Sequence, residues 1–140
     1  MTPEDVREAQ HDIAEVLVAY ATGIDRRDWQ RFRSCFTADV IADYGDVGSW
    51  QGVDAITDFM TQVHAGMGHT LHRLSNIAIE VADDGATAIA RSYVDNENLV
   101  PDGATGIHTT GFYDDELVKT VAGWKISQRR FTLVRSARIN

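Results

Sequence analysis

An aspartate closes the run Tyr20-Ala-Thr-Gly-Ile-Asp25, and a histidine, His72, stands near the start of the stretch HTLHRLSN. An aspartate placed just after an apolar helix face enters the core region, where burial raises a carboxyl pKa unless a partner offsets it. A histidine from a sheet is the natural partner. A carboxylate that accepts a hydrogen bond from one imidazole nitrogen fixes the tautomer and leaves the other nitrogen free as a base. It also stabilises the imidazolium formed after proton abstraction. On pattern alone a more ordinary arrangement has the advantage: Asp25 capping a second helix or pairing with Arg26 or Arg27 at the surface, and His72 a half-buried strand histidine.

Other side chains add possible ligand contacts. Thr70, His72, Leu74 and Asn76 alternate onto one strand face, with Leu71, Arg73, Ser75 and Ile77 on the other. Leu74 and Asn76 therefore extend the surface that carries His72. Tyr44 and Tyr113 are phenolic donors to a substrate oxygen or core aromatics with the hydroxyl at an edge. Among Trp29, Trp50 and Trp124, all packing candidates, Trp50 is the one expected to touch a ligand, because it follows a Gly-rich loop. His64, His69, His72 and His108 do not have the spacing of a compact metal motif, so no metal is expected. There is no phosphate loop, dinucleotide fingerprint or nucleophile elbow, and no cofactor is called for.

The elements that must position these residues read clearly. Thr2 as N-cap, Pro3 at the first helical position and acidic Glu4 and Asp5 announce a helix. Val6, Ile13, Val16, Leu17 and Tyr20 recur at helical spacing, and Gly23 is the expected stop, after about Thr22. A short helix follows in DWQRFRSCF, with Asp28 as cap and Trp29, Phe32, Cys35 and Phe36 on one face, which makes Cys35 core filler. Residues 40–44 read as a short strand, GDVGSWQG as a loop and 53–63 as a third helix. Alternating stretches at about 70–82, 87–99, 105–120 and 123–135 form an antiparallel meander. Helices first and a long meander afterwards imply an α+β architecture, helices on one face of a curved sheet, with a hollow at the wider end.

The 140 residues suit one domain, 1–140, and the composition, 44% hydrophobic and 24% charged, is that of an ordinary globular chain. A net charge of −8 disfavours nucleic acid and anionic membrane as partners. The N-terminal MTPEDVREAQ lacks a signal-peptide pattern, and the lone Cys35 suits a reducing compartment, so a cytoplasmic location is expected.

The helix ending in GIDRRD, the strand TLHRLSN and the late hairpin DDELVKT…GWKISQRR give the chain a resemblance to a known family. It resembles the SnoaL-like branch of the nuclear transport factor two-like superfamily, and within it the scytalone dehydratase and hexachlorocyclohexane dehydrochlorinase families. The resemblance implies a cone-shaped α+β barrel with a pocket, and a catalytic aspartate–histidine pair at Asp25 and His72. It also implies a pocket-facing arginine at Arg129 that stabilises developing negative charge. Phe131 and Leu133, on the face of Arg129, would line the cavity, and Arg130 would point away. At Tyr20 the dehydrochlorinases carry a lysine near the departing halide. A phenol there suits an oxygen leaving group or a carbonyl better than chloride.

The function implied is a cofactor-independent, dehydratase-like lyase acting on a small cyclic, polyketide-like or steroid-like molecule, with Asp25, His72, Tyr20 and Arg129 as its working groups. An isomerase using the same pair is the nearest alternative. A non-catalytic binding or assembly module, like the small subunits of ring-hydroxylating dioxygenases, stands against both. The resemblance also implies a homo-oligomer, a trimer ahead of a dimer; the outer face of the sheet must be covered, and Leu71, Ile77, Ile79 and Val81 supply apolar surface there if they face outward.

Overall fold

The first helix opens with a reciprocal cap: the Asp5 backbone N–H donates to Thr2 Oγ1 and the Thr2 N–H donates to the Asp5 carboxylate. In the computed structural model, which describes all 140 residues, this helix, α1, spans Pro3–Asp25. It therefore runs past Gly23, contrary to the expected stop. Gly23 serves a close helix crossing instead. A Cβ there would stand 3.0 Å from the backbone nitrogen of Phe32. Phe32 lies in α2, Trp29–Ser34, whose N-cap Asp28 accepts from the Arg31 N–H.

The first strand, β1, covers Phe36–Asp43 and starts earlier than the sequence pattern suggested, because Phe36 already pairs with Ile126. A single 3-10 turn at Gly45–Val47 and a short strand β2, Ser49–Gln51, occupy the segment expected to be loop. Helix α3 spans Val53–Ala65. The meander then follows as β3 Thr70–Val81, β4 Thr87–Leu99, β5 Gly106–Thr120 and β6 Gly123–Ile139. Strand order in the one six-stranded sheet is β2-β1-β6-β5-β4-β3, antiparallel throughout except for β1 alongside β6. Three helices packed on a curved, mostly antiparallel sheet make an α+β cone, with the core between Ile13, Leu17 and Ile24 of α1, Phe32 and Cys35, Ile56 of α3, and Leu117 and Ile126 of the sheet.

Bulges decide which side chains face inward. In β3 the pairing passes from Ser75↔Tyr93 to Ala78↔Arg91, leaving one extra residue, and Asn76 takes a φ of 48°. The phase of the strand flips there. Ile79 and Val81, expected on the outer face, pack against the core instead, while Leu71 and Ile77 remain exposed. No helix is long and apolar enough to cross a membrane.

Candidate active site

Helix α1 delivers Asp25 at its last residue, beside the first residues of β3. The His72 ring lies with Nδ1 2.7 Å from Asp25 Oδ1, and the His72 backbone N–H donates to Asp25 Oδ2 at 2.8 Å. Thr70 Oγ1 donates to Asp25 Oδ1 at 2.9 Å, and Arg27 donates in turn to Thr70 Oγ1 at 2.8 Å. Because the arginine occupies the acceptor side of that hydroxyl, the threonine proton is directed at the carboxylate. Arg27 pays for this position with a φ of 57°, held by further bonds to the carbonyls of Ile24 and Gly68.

This geometry removes the ordinary alternatives for Asp25. The second helix is capped by Asp28, and neither Arg26 nor Arg27 pairs with Asp25. Partial burial pushes the Asp25 carboxyl up, but donation from the His72 ring, the His72 backbone and Thr70 outweighs it and holds the group below its ordinary value. An ionised Asp25 is acceptor-only, so Nδ1 of His72 carries a proton, and in the neutral ring the lone pair lies on Nε2.

His72 faces a cavity of about 240 Å³ between the sheet and α3, lined mostly by apolar groups including Ile24, Val47, Phe59, Met60, Val63, Val94 and Phe131. Tyr20, Tyr44 and Tyr113 also line it. The hydroxyls of Tyr20 and Tyr44 lie 2.6 Å apart, so one donates to the other and a single phenolic proton is left over. Burial raises the pKa of both phenols, which keeps them protonated and available as donors.

Several expected positions are corrected. Arg129 does not line the cavity. It lies behind it, its guanidinium carbon 4.1 Å from the centre of the Tyr20 ring and 3.9 Å from that of Tyr113. Nε and Nη2 donate to Asp115 at 2.7 and 2.9 Å, in a pair whose side chains are 0% exposed. Burial alone would favour loss of the proton, but the Asp115 carboxylate keeps the guanidinium charged. Leu133 is 54% exposed, because β6 continues beyond the helices and bulges at Val134. Asn76 is exposed at the β3 bulge, Leu74 packs on the core and Trp50 packs against Phe59 and Tyr44 without lining the cavity.

The cavity also holds residues that sequence reasoning missed. Asn96, Asn98, Thr109 and His64 line it. Ala88, Ala90, Ser92 and Val94 set the inward phase of β4, and Asn96 and Asn98 continue in that phase. Polar residues at apolar positions were the available signal. Asp115 carried the same signal in β5, between inward Tyr113 and Leu117. A wider groove of about 660 Å³, lined by residues such as Ile41, Ile89 and Glu116, shares no residue with this cavity.

The comparisons with known proteins agree with this architecture. The SnoaL-like domain family matches residues 5–130. An uncharacterized protein of Mycobacterium tuberculosis is 31% identical over 120 residues, which is 84% of this chain and 80% of the relative. A candidate scytalone dehydratase of Novosphingobium aromaticivorans superposes with a TM-score of 0.89 at 20% identity, over 97% of this chain and 91% of the other. A hexachlorocyclohexane dehydrochlorinase gives 0.88 at 18% identity, over 99% and 94%. A candidate aromatic ring hydroxylase of N. aromaticivorans gives 0.86 at 28% identity, over 99% and 96%. The fold is thus the nuclear transport factor two-like α+β cone, and the chain belongs to the SnoaL-like domain family.

Proposed function

We propose that this protein is a cofactor-independent lyase of dehydratase type acting on a small cyclic substrate, with an aspartate-supported histidine as base. The observation that carries the reading is the 2.7 Å contact between His72 Nδ1 and Asp25, made at the wall of a largely apolar cavity. His72 Nε2 removes a proton from the carbon beside a carbonyl. Asp25 stabilises the resulting imidazolium, and the imidazolium returns the proton when the leaving oxygen departs. The spare phenolic proton of the Tyr20–Tyr44 pair hydrogen-bonds the oxygen on which negative charge develops. Arg129 acts through these phenols, its buried cation lying against the Tyr20 ring and strengthening the phenol's donation to the negative charge that forms beyond it.

Isomerisation uses the same proton abstraction and differs only in where the proton is returned. A binding or assembly module would have no use for an ionised carboxylate fixing a histidine tautomer at a cavity wall. The cavity volume lies below the usual range for ligand sites, about 300–1,000 Å³, which favours one- or two-ring substrates over steroids. The proposal includes self-association through the outer sheet face and a cytoplasmic location.

The test is to incubate the protein with cyclic β-hydroxyketones of one and two rings in deuterated buffer and follow them by NMR. Loss of water from a β-hydroxyketone supports the lyase. Deuterium exchange beside the carbonyl without loss of water supports the isomerase alternative. Neither reaction across the panel would count against both.

A further inference from the structure

Arg27 lies in the turn between α1 and α2 with its backbone in the left-handed region, where side chains other than glycine rarely sit. Its guanidinium folds back over the end of α1 and reaches three acceptors. Nη1 donates to the Ile24 carbonyl and to Thr70 Oγ1, both at 2.8 Å, and Nη2 donates to the Gly68 carbonyl at 2.7 Å. One side chain thus ties the last turn of α1 to the segment that enters β3, the two places that carry Asp25 and His72. That segment is itself fixed: the Gly68 N–H donates to the Leu99 carbonyl, and a Cβ at Gly68 would collide with the Val100 carbonyl oxygen. Backbone strain held by bonds that converge on a site points to a role in that site.

Asp25 is a carboxylate in need of such support. It is the last residue of α1, where the partial negative charge of the helix end disfavours an anion. Partial burial acts in the same sense, and donation from His72 and Thr70 holds the group below its ordinary value against both. The two His72 donors are aimed by the strand and the ring, whereas the Thr70 hydroxyl is a rotor with one proton and two lone pairs. A guanidinium has no acceptor, so with Arg27 Nη1 on its oxygen the buried hydroxyl turns its proton to Asp25 Oδ1, 2.9 Å away. Arg27 makes its bonds to Thr70 and the two carbonyls and none to the carboxylate, which leaves Oδ1 to the imidazole. Neither Arg27, Thr70 nor Asp25 lines the cavity, so what they do for a ligand they do through His72.

We infer that Arg27 and Thr70 are positioning residues for the Asp25–His72 pair: the guanidinium fork fixes the Thr70 hydroxyl as a donor to Asp25, which keeps the carboxylate ionised and turned toward the His72 ring. The fork is required and not the charge alone, because a lysine ammonium is a single point on a flexible stem and cannot serve three acceptors from two ends of a rigid plane. The charged and titratable groups around the carboxylate are Arg27 in the turn, His72 on β3 and His64 on α3, whose ring centre is 6.3 Å from that of His72. Only His72 among them bonds to it. This deepens the lyase reading and rests on it for the kinetic consequence alone.

The full-length protein, carrying carbon-13 in its aspartate carboxyls, is titrated by NMR from about pH 7 to about pH 3, with the Asp25 signal identified by its loss in Asp25→Asn. Thr70→Val removes the hydroxyl and keeps the shape, and should move the Asp25 midpoint up by about half to one pH unit. Thr70→Ser keeps the hydroxyl and should lie close to the parent. Arg27→Gly suits the left-handed backbone, so the fold is retained, and should raise the midpoint in the same sense, as should Arg27→Lys. Where a variant unfolds in acid, urea unfolding across the same range reads the same proton: as the folded midpoint rises toward the unfolded one, the share of Asp25 in the acid limb shrinks. For a substrate that the parent turns over, kcat should fall about three- to tenfold in Thr70→Val with KM little changed, the effect of one hydrogen bond behind the reacting groups. A midpoint and acid limb unmoved in Thr70→Val, a Thr70→Ser protein that behaves as Thr70→Val, a parent-like midpoint in Arg27→Lys, or a raised KM at unchanged kcat would each overturn the inference. A lower melting temperature without a moved midpoint would do the same and reduce Arg27 to a helix cap. If the midpoints move as stated and the parent turns over no cyclic β-hydroxyketone, the lyase reading fails and the positioning unit stands; turnover by the parent with unmoved midpoints in the variants means the reverse.

Discussion

Asp115 stands opposite Arg129 in the register of β5 and β6 and grips its guanidinium through two hydrogen bonds, 2.7 and 2.9 Å, in a site closed to solvent. Removing one partner of such a pair leaves an uncompensated buried charge. Asp115→Ala should therefore lower the unfolding free energy by about 3–5 kcal/mol, read from urea denaturation. Replacing both together, Asp115→Leu with Arg129→Met, should cost far less stability than the single change while still slowing turnover, because the phenols lose the cation behind them. A loss below about 1 kcal/mol for Asp115→Ala would mean that the pair is not the buried unit described.

Gly23 gives a second, independent check on the packing. Its missing side chain lets α2 approach α1, with the Phe32 backbone nitrogen 3.0 Å from where a Cβ would stand. Gly23→Ala keeps the helical backbone and improves helix propensity, so on propensity alone it would stabilise. The close contact should reverse the sign, with a loss of roughly 1–3 kcal/mol from overpacking. A higher melting temperature for the variant would show that the two helices can separate without cost.

These two sites also mark where the sequence was readable and where it was not. Strand alternation located all four long strands, because a half-buried strand repeats every two residues whatever it pairs with. The contact between Asp25 and His72 was indicated by the resemblance, whereas pattern alone favoured a helix cap. What escaped was information carried by pairing partners. The extra residue in β3 flips Ile79 and Val81 inward, and an alternation carried through it puts Asn76 on the wrong face. The withdrawal of Arg129 from the cavity depends on Asp115, a partner on another strand. His64 enters the site because α3 folds back over the sheet, which no local period records.

His72→Ala should reduce turnover by about 10²–10⁴-fold, the usual cost of losing a general base. The fold should survive, since the ring borders a cavity and its removal enlarges existing space. Turnover close to the parent in a variant with an unchanged melting profile would remove His72 as the base.

Self-association should be visible in sedimentation equilibrium as a trimer. The outer face of the sheet carries Ile89, 53% exposed, and Tyr93, 46% exposed, large apolar groups open to solvent in a single chain. Tyr93→Glu should weaken assembly by placing a charge in that surface, with the monomer fold retained. A single monomeric species of the parent protein at micromolar concentration would exclude the oligomer.

Asp25→Asn separates support of a base from a structural role, because asparagine preserves size and can still hydrogen-bond. The change removes the negative charge that stabilises the imidazolium, so the pKa of His72 should move down and the rate should fall sharply. The acid side of the stability curve gives a further sign. Donation from His72 and Thr70 holds Asp25 below the ordinary aspartate value in the folded chain, so the folded state gives up this proton more readily than the unfolded state. Its contribution to stability is therefore complete above the unfolded pKa and drains away as the pH falls through the folded one. In Asp25→Asn that part of the acid limb should flatten, with the curve near neutral pH displaced only modestly. Rate, His72 titration by NMR and the acid limb are to be measured on one preparation. Unchanged rate and unchanged His72 titration, whatever the acid limb does, would leave Asp25 as a residue that fixes the end of α1 against β3 and takes no part in proton transfer.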